Sequence, residues 1–497
     1  MPHPVSATAP AASAEPVARP HVPPGVILAI ACVANLMVII DTSIVNVALP
    51  AMKAALGLST ADQQWVVDAY LITFGGFLLL AARAGDLFGR KSVFQAGLVV
   101  FTAASLAGGL AQGPGLLIGA RVIQGVGAAA LASSSLSLIT ASHPEGPART
   151  RALSLWAAAG SSAGALGVTL GGLLTTELSW RYVLFINVPI GIALLAAAAA
   201  SLVPSPSRRD WARLDLPGAL TVTAGAGSLV YGVSQATNKG WGSAPVIAAL
   251  TAAAVLLAAF GMIEARSAAP LVPLGIFRQR RLTVGNAVMT CLGAVMTSGF
   301  FFLSLYLQQV IGYSALRTGM AIVPITVLLA AGPLAAKRLL PRFGPRSLLL
   351  AGGILTTAGL AGMSQLPDYP GYLAHNLGPI LVIGAGIGLM LLPLVASATA
   401  GLEPRYAGLA SGLFNTARQL GGAVGLAVLV TIAATATRHS HLASPAAATV
   451  HGYRIALLAA AAVSLAAVLI ALLLPARAEA APPAGTARPA RSAAGTR

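Results

Sequence analysis

Long apolar runs of about twenty residues, broken by short polar or glycine- and proline-containing turns, fill the chain between residues 26 and 474. A hydrocarbon layer about 30 Å thick takes about 20 helical residues to cross. Fourteen runs have that length: 26–49, 64–82, 92–111, 116–140, 151–175, 183–203, 215–234, 245–264, 283–310, 318–336, 347–365, 377–399, 408–435 and 453–474. The pattern predicts an all-α integral membrane protein with 14 transmembrane helices. Outside them, the Ala/Pro-rich head (1–24) and the Ala/Pro/Arg tail (476–497) have compositions that bury no core and are read as disordered. The head has no basic region abutting the apolar run, and that run is too long for a cleaved leader, so the first span is expected to stay in the membrane.

Composition excludes a soluble enzyme. With 57% hydrophobic and 9% charged residues and a mean hydropathy of +0.82, the chain has too little polar surface to solvate a globule of 497 residues. The net charge of +17 would point to nucleic acid in a soluble protein. Here the cations sit in short connections and tails: 22 of the 30 fall on one set of alternate connections and 6 on the other, with Arg121 and Arg418 inside spans. That bias predicts a multi-pass protein of the plasma membrane with both termini cytoplasmic, its partner surface being lipid and not nucleic acid. Cys32 and Cys291 stand far apart in apolar runs and are expected to be unpaired.

Between the second and third runs lies Gly85-Asp86-Leu87-Phe88-Gly89-Arg90-Lys91, a charged turn that forces the flanking spans into an antiparallel pair. Its glycines permit left-handed or closely approaching backbone, and its carboxylate and two cations can bond neighbouring helix ends, so it is read as a cytoplasmic gate. This turn resembles one in the major facilitator superfamily of secondary transporters. Further stretches extend the resemblance: Asp41–Pro50, Arg121-Val122-Ile123-Gln124-Gly125, Trp180–Gly191, Tyr306-Leu307-Gln308-Gln309 and Asn415–Gly422. Together, and in this order, they are similar to the fourteen-helix drug:proton antiporters of that superfamily. The resemblance implies an amino-terminal six-helix bundle (25–203), two additional helices (204–265) and a carboxy-terminal six-helix bundle (266–475).

Two positions depart from the family pattern. Ala82 stands where the charged turn usually opens with glycine, and Val168 stands where the glycine-rich fifth helix usually has proline. Gly160, Gly164, Gly167 and Gly171 still recur at helical spacing beside Gly172, forming a small-residue stripe for close helix packing. Packing alone and an antiport role both remain open for it.

Charges inside spans carry the sharper chemistry, because one at mid-bilayer costs about 2.5–3.5 kcal/mol. Asp41 lies nine residues before Pro50, about 14 Å along the helix and near the midplane. Asp68 and Arg121 fall in the same outer half of the amino-terminal bundle. A carboxylate moved between an apolar setting and an arginine changes its hold on a proton, so Asp41, Asp68 and Arg121 are the proton-coupling candidates. For Asp41 the alternatives are contact with a cationic substrate or a purely structural role, for Asp68 plain solvation near the interface, and for Arg121 a structural bond to helix carbonyls. Asn46, Gln124, Phe302, Tyr306, Asn415, Arg418 and Gln419 are the candidates for a substrate pocket, with plain packing the alternative for Phe302 and Tyr306, and a bond to helix carbonyls the alternative for Arg418 to an anionic or carbonyl-rich substrate group. No phosphate loop, metal cluster or catalytic triad is legible, so energy is expected from an ion gradient without a cofactor. The expected protein is a monomeric, non-enzymatic, proton-coupled exporter of small organic molecules. Import or facilitated movement of a metabolite is the alternative within transport, and a membrane enzyme or scaffold the alternative outside it.

Overall fold

The computed structural model describes residues 23–143, 146–203, 214–365, 376–399, 406–442 and 444–474. The expected tail and all but the last two residues of the expected head lie outside them. The described residues are helical throughout their spans. α1 is Pro24–Leu56, α2 Thr60–Phe88, α3 Arg90–Gly109, α4 Pro114–Ser142, α5 Pro147–Glu177 and α6 Tyr182–Ser201. A hairpin follows, α7 Leu216–Lys239 and α8 Ala244–Arg266, and then α9, Arg280–Val310, whose last turn from Tyr306 is a π-helix. Ala315–Met363 is a 49-residue helical run broken by non-helical Gly344 (φ 75°, ψ 165°), which divides it into α10 (315–343) and α11 (345–363). α12 Leu377–Thr399, α13 Ala407–Arg438 and α14 Pro445–Ala471 complete the set. Among the described residues, thirteen continuous helical runs, one of them double, are long and apolar enough to supply the fourteen expected spans.

Helix ends follow local chemistry. Ser59 and Asp62 form a reciprocal capping box at the start of α2, and Asp215 accepts from the Gly218 N–H at the start of α7. The connection from α2 to α3 is one residue long: α2 runs through Phe88, α3 starts at Arg90, and Gly89 (φ 92°, ψ 134°) makes the whole reversal. Only glycine adopts that backbone without strain. Gly344 repeats the device between α10 and α11.

Without water to drive association, membrane helices meet where small residues let backbones approach. In the first bundle, a Cβ on Gly97 would stand 2.7 Å from Ala130, one on Gly127 2.7 Å from the Phe101 backbone, and one on Gly125 2.6 Å from Tyr70 O, pulling α4 against α2 and α3. In the second, Gly332 meets Gly388, Gly386 meets Gly352, and Gly293 and Gly421 bring α9 against α13. The bundles meet along two seams, α2 with α13 and α5 with α10. The α7–α8 hairpin lies against α2 and α13 outside the first seam, held by Thr431 Oγ1 donating to Val233 O at 3.1 Å. Glu264, buried near the end of α8, accepts from the Val272 N–H at 3.0 Å and so ties the following connector to the hairpin.

Candidate functional site

One polar centre lies inside the first bundle. Arg121 and Gln124, one turn apart on α4, face Asp41 of α1. Arg121 Nη1 donates to Asp41 Oδ2 at 2.5 Å and to Gln124 Oε1 at 2.7 Å, while its Nε donates to Val66 O at 3.0 Å. The other oxygen, Asp41 Oδ1, accepts from Gln124 Nε2 at 2.7 Å and from Asn187 Nδ2 at 3.0 Å. Ser105 Oγ accepts from the same two amides, and the Arg121 guanidinium lies 4.2 Å from the centre of the Tyr70 ring. Asp41 is 0% and Arg121 2% exposed. Arg121 therefore has both partners that the sequence left as alternatives, a carboxylate and a helix carbonyl. Each charge compensates the other's desolvation, and losing one partner of such a pair costs about 3–5 kcal/mol.

Asp68 is not part of this centre. It is fully buried one helix away, accepts from Gln64 Nε2 at 2.8 Å on one oxygen, and has no hydrogen-bond partner on the other among the described residues. Its depth matches that of Arg121, but its direction around α2 does not bring it to the pair. Asn187, Ser105 and Tyr70 complete the centre without having been singled out as site residues.

A cavity of about 870 Å³ lies between the bundles. α1 contributes Asn35, Val38, Ile39, Thr42, Ser43 and Asn46, and α13 contributes Asn415, Arg418 and Gln419 at i, i+3 and i+4. Asp41 is absent from that wall because it sits on the face of α1 turned to α4. At the Gly89 end the wall includes Arg83, Asp86, Pro270, Pro273, Tyr406 and Gly408, and Asp86 is 65% exposed there. The opposite end is sealed. Pro50 has no N–H, which leaves the carbonyl of Asn46, four residues earlier, without its helical partner. Ser304 Oγ of α9 donates to that oxygen at 2.8 Å, and Gln308 Nε2, from the π-turn, donates to Val47 O at 3.0 Å. On the other seam, Thr176 Oγ1 accepts from the Leu316 N–H at 3.2 Å, and a Cβ on Gly172 would stand 2.6 Å from Ala315 O.

Several sequence expectations change in detail. Gly85 is helical, and a Cβ on it would meet nothing within 4 Å, so only Gly89 uses its freedom in the charged turn. Asp86 pairs weakly with Arg90 at 3.9 Å; Arg90 also donates to Ser137 O at 3.2 Å, and Lys91 Nζ caps α6 through Ala199 O and Leu202 O. These cations brace the first bundle from within. The glycine stripe is divided: Gly160, Gly167 and Gly171 lie against α1, whereas Gly172 lies against α10 and Gly164 beside open cavity. Val168 is buried, with Gly319 packed against its carbonyl. Phe302 and Tyr306 do not line the cavity. Met296, Thr297 and Phe300 present the cavity face of α9, and Phe302, two residues and about 200° further round, packs on Tyr453 of α14 at 5.5 Å. Gln124 likewise serves the ion pair and not the cavity wall.

Two helical bundles around a central cavity, closed at one end and lined with a few polar groups, define a membrane transporter. The chain belongs to the Major Facilitator Superfamily, whose family model matches residues 31–426. It is 44% identical over 460 residues to the cephamycin export protein CmcT of Amycolatopsis lactamdurans, covering 92% of this chain and 93% of that protein. It is 41% identical over 472 residues to the puromycin resistance protein pur8 of Streptomyces alboniger, covering 93% of each. Among solved structures, an auto-inhibited peptide transporter of the POT family superposes with a TM-score of 0.67 at 15% identity, over 92% of this chain and 98% of that one, a likeness of fold alone.

Proposed function

We propose that the protein is a proton-coupled exporter of small organic molecules, working by alternating access across the cell membrane with the Gly89 end and both termini cytoplasmic. The observation that carries this reading is the double use of α1. One face carries Asp41 against Arg121; the other lines the cavity and, through Asn46 O and Val47 O, forms the outer seal. A proton reaching Asp41 would cancel the charge that holds Arg121 and loosen α1 from α4. Movement of α1 then acts on cavity and seal together, which is what exchange of a proton for a substrate requires. Names of relatives that export or confer resistance to antibiotics support efflux, and the excess of cations at the Gly89 end supports the orientation. In that orientation the cavity would be inward-open. One proton moved inward supplies about 2.3 kcal/mol per 100 mV, enough for a roughly fortyfold gradient of a neutral substrate.

The protein would act as a monomer, without catalysis, cofactor or nucleic-acid partner. Inverted membrane vesicles containing it should accumulate a fluorescent substrate when their interior is acidified and lose that accumulation on addition of a protonophore. Accumulation that ignores the protonophore would refute the coupling.

A further inference from the structure

The charged groups lining the cavity are arranged asymmetrically with depth. Asp86, the one carboxylate among the described lining residues, stands at the mouth, two residues from the end of α2, with Arg90 beside it. Arg418 lies eleven residues into α13, about 16 Å inward. Close packing of α13 on α9 at Gly293, Gly421 and Gly425 fixes the rotation that turns Arg418 to the cavity. Two other arginines near or inside the spans are held by backbone: Arg181 Nη1 donates to Gly109 O and Ala111 O, both at 2.7 Å, and Arg121 to Val66 O, whereas Arg83, at the mouth of the same cavity, keeps its buried Nε without a hydrogen-bond partner among the described residues. Arg418 instead makes one hydrogen bond among the described residues, Nη2 to Asn415 Oδ1 at 2.9 Å, and no ion pair. A guanidinium carries five N–H donors, and Arg418 lines the cavity with only one of them in that bond.

A second unmatched group shares that cavity. Asn46, 8% exposed, donates through Nδ2 to Thr42 O at 2.9 Å. A carbonyl only accepts, so this bond fixes which end of the amide is nitrogen and leaves Oδ1 as a buried acceptor without a donor. Resting on the exporter reading, we propose that Arg418 is an anion subsite. The transported molecule is an organic acid whose carboxylate lies on the Arg418 guanidinium and whose N–H or O–H group donates to Asn46 Oδ1. The two-pronged fork suits a carboxylate's two oxygens, and the low-dielectric wall strengthens the pairing. A cationic substrate would meet an uncompensated like charge at this depth.

Three dyes of one chromophore test this on the purified protein in lipid nanodiscs: dansylglycine (carboxylate and N–H), its methyl ester (N–H, no charge) and dansylcadaverine (cation). Wild type should bind the acid at least about tenfold more tightly than the ester, and the cation least, since a charge-assisted bond is worth about that factor. Arg418→Gln should bring acid binding down to the ester's level while leaving the ester unchanged, and Arg418→Lys should restore part of the difference. Asn46→Ala should weaken acid and ester alike and preserve their ratio. An unaltered acid-to-ester ratio in Arg418→Gln, an equal loss of both ligands, or a wild type that does not prefer the acid overturns the subsite. Selective binding without accumulation of any dye in energised vesicles would refute the exporter reading while leaving the acid subsite in place.

Discussion

Replacing Asp41 by asparagine removes one charge and keeps the shape, and the structure sets what that costs. Asp41 accepts from three donors, Arg121 Nη1, Gln124 Nε2 and Asn187 Nδ2. An amide offers one oxygen and one NH₂ group, so at least one of those donors would face another donor, and Arg121 would lose its counter-charge. Breaking a buried pair from one side costs about 3–5 kcal/mol, or two to nearly four powers of ten in an equilibrium. Asp41→Asn should therefore lower the thermal midpoint in detergent and abolish accumulation against a gradient, with the surviving folded protein still inserted. Asp41→Asn combined with Arg121→Gln removes both charges, so the double mutant should be more stable than the sum of the single losses implies, by about 3 kcal/mol. Transport normalised to folded protein in energised inverted vesicles is the decisive assay. Wild-type accumulation by Asp41→Asn would refute the coupling role, and strictly additive stability losses would refute the account of the pair.

Arg121→Lys keeps a charge but gives up the planar fork that reaches Asp41, Gln124 and Val66 together, so transport should fall and its profile between about pH 5 and 9 should shift; an unshifted profile at full specific activity argues against coupling. Ser304→Ala leaves Asn46 O without its donor and should move the population toward the outward-open state by about 5–30-fold, seen as increased labelling of cysteines placed along the Asn46 face; unchanged labelling refutes the seal. Gly171→Val puts a side chain whose Cβ would stand 2.8 Å from Ile44 O, so folded yield should drop severalfold, whereas Gly164→Ala, which meets only Thr326 Cγ2 at 3.9 Å, should fold normally. Asp86→Ala should leave the thermal midpoint within a degree or two, because its pair with Arg90 is exposed, yet slow transport if the mouth closes on that carboxylate; unaltered transport removes it from the gate.

The spans were legible because a hydrocarbon layer imposes length and apolarity on every crossing, and even the doubled run 315–363 reads as two through Pro341-Arg342-Phe343-Gly344-Pro345. That Arg121 would meet a buried carboxylate was legible for the same reason in reverse, since charges at that depth must be compensated, but which of Asp41 and Asp68 it meets was not. Direction around a helix was harder to read. Asp68 shares the depth of the pair and points elsewhere, and Phe302 turns to α14 while Phe300 takes the cavity. Uncharged donors left the weakest trace: Asn187 stood in a recognised stretch, but an amide and the Ser105 hydroxyl carry too small an insertion cost to declare a site on their own. A polar residue within two turns of the start of an otherwise apolar span was the signal available for Asn187.

Pro50 bears on speed as well as on closure. A helix that must break an internal hydrogen bond to release a neighbour passes through a state with an orphaned carbonyl, and that orphan adds to the barrier. The Asn46 carbonyl was never engaged within its own helix, so when Ser304 withdraws, water entering the opening cleft can take the vacated oxygen directly. One partner is exchanged for another with no helical bond broken, and α1 need not unwind. The seal can then form and dissolve repeatedly on the microsecond-to-millisecond scale of such rearrangements without adding a broken helical bond to each cycle.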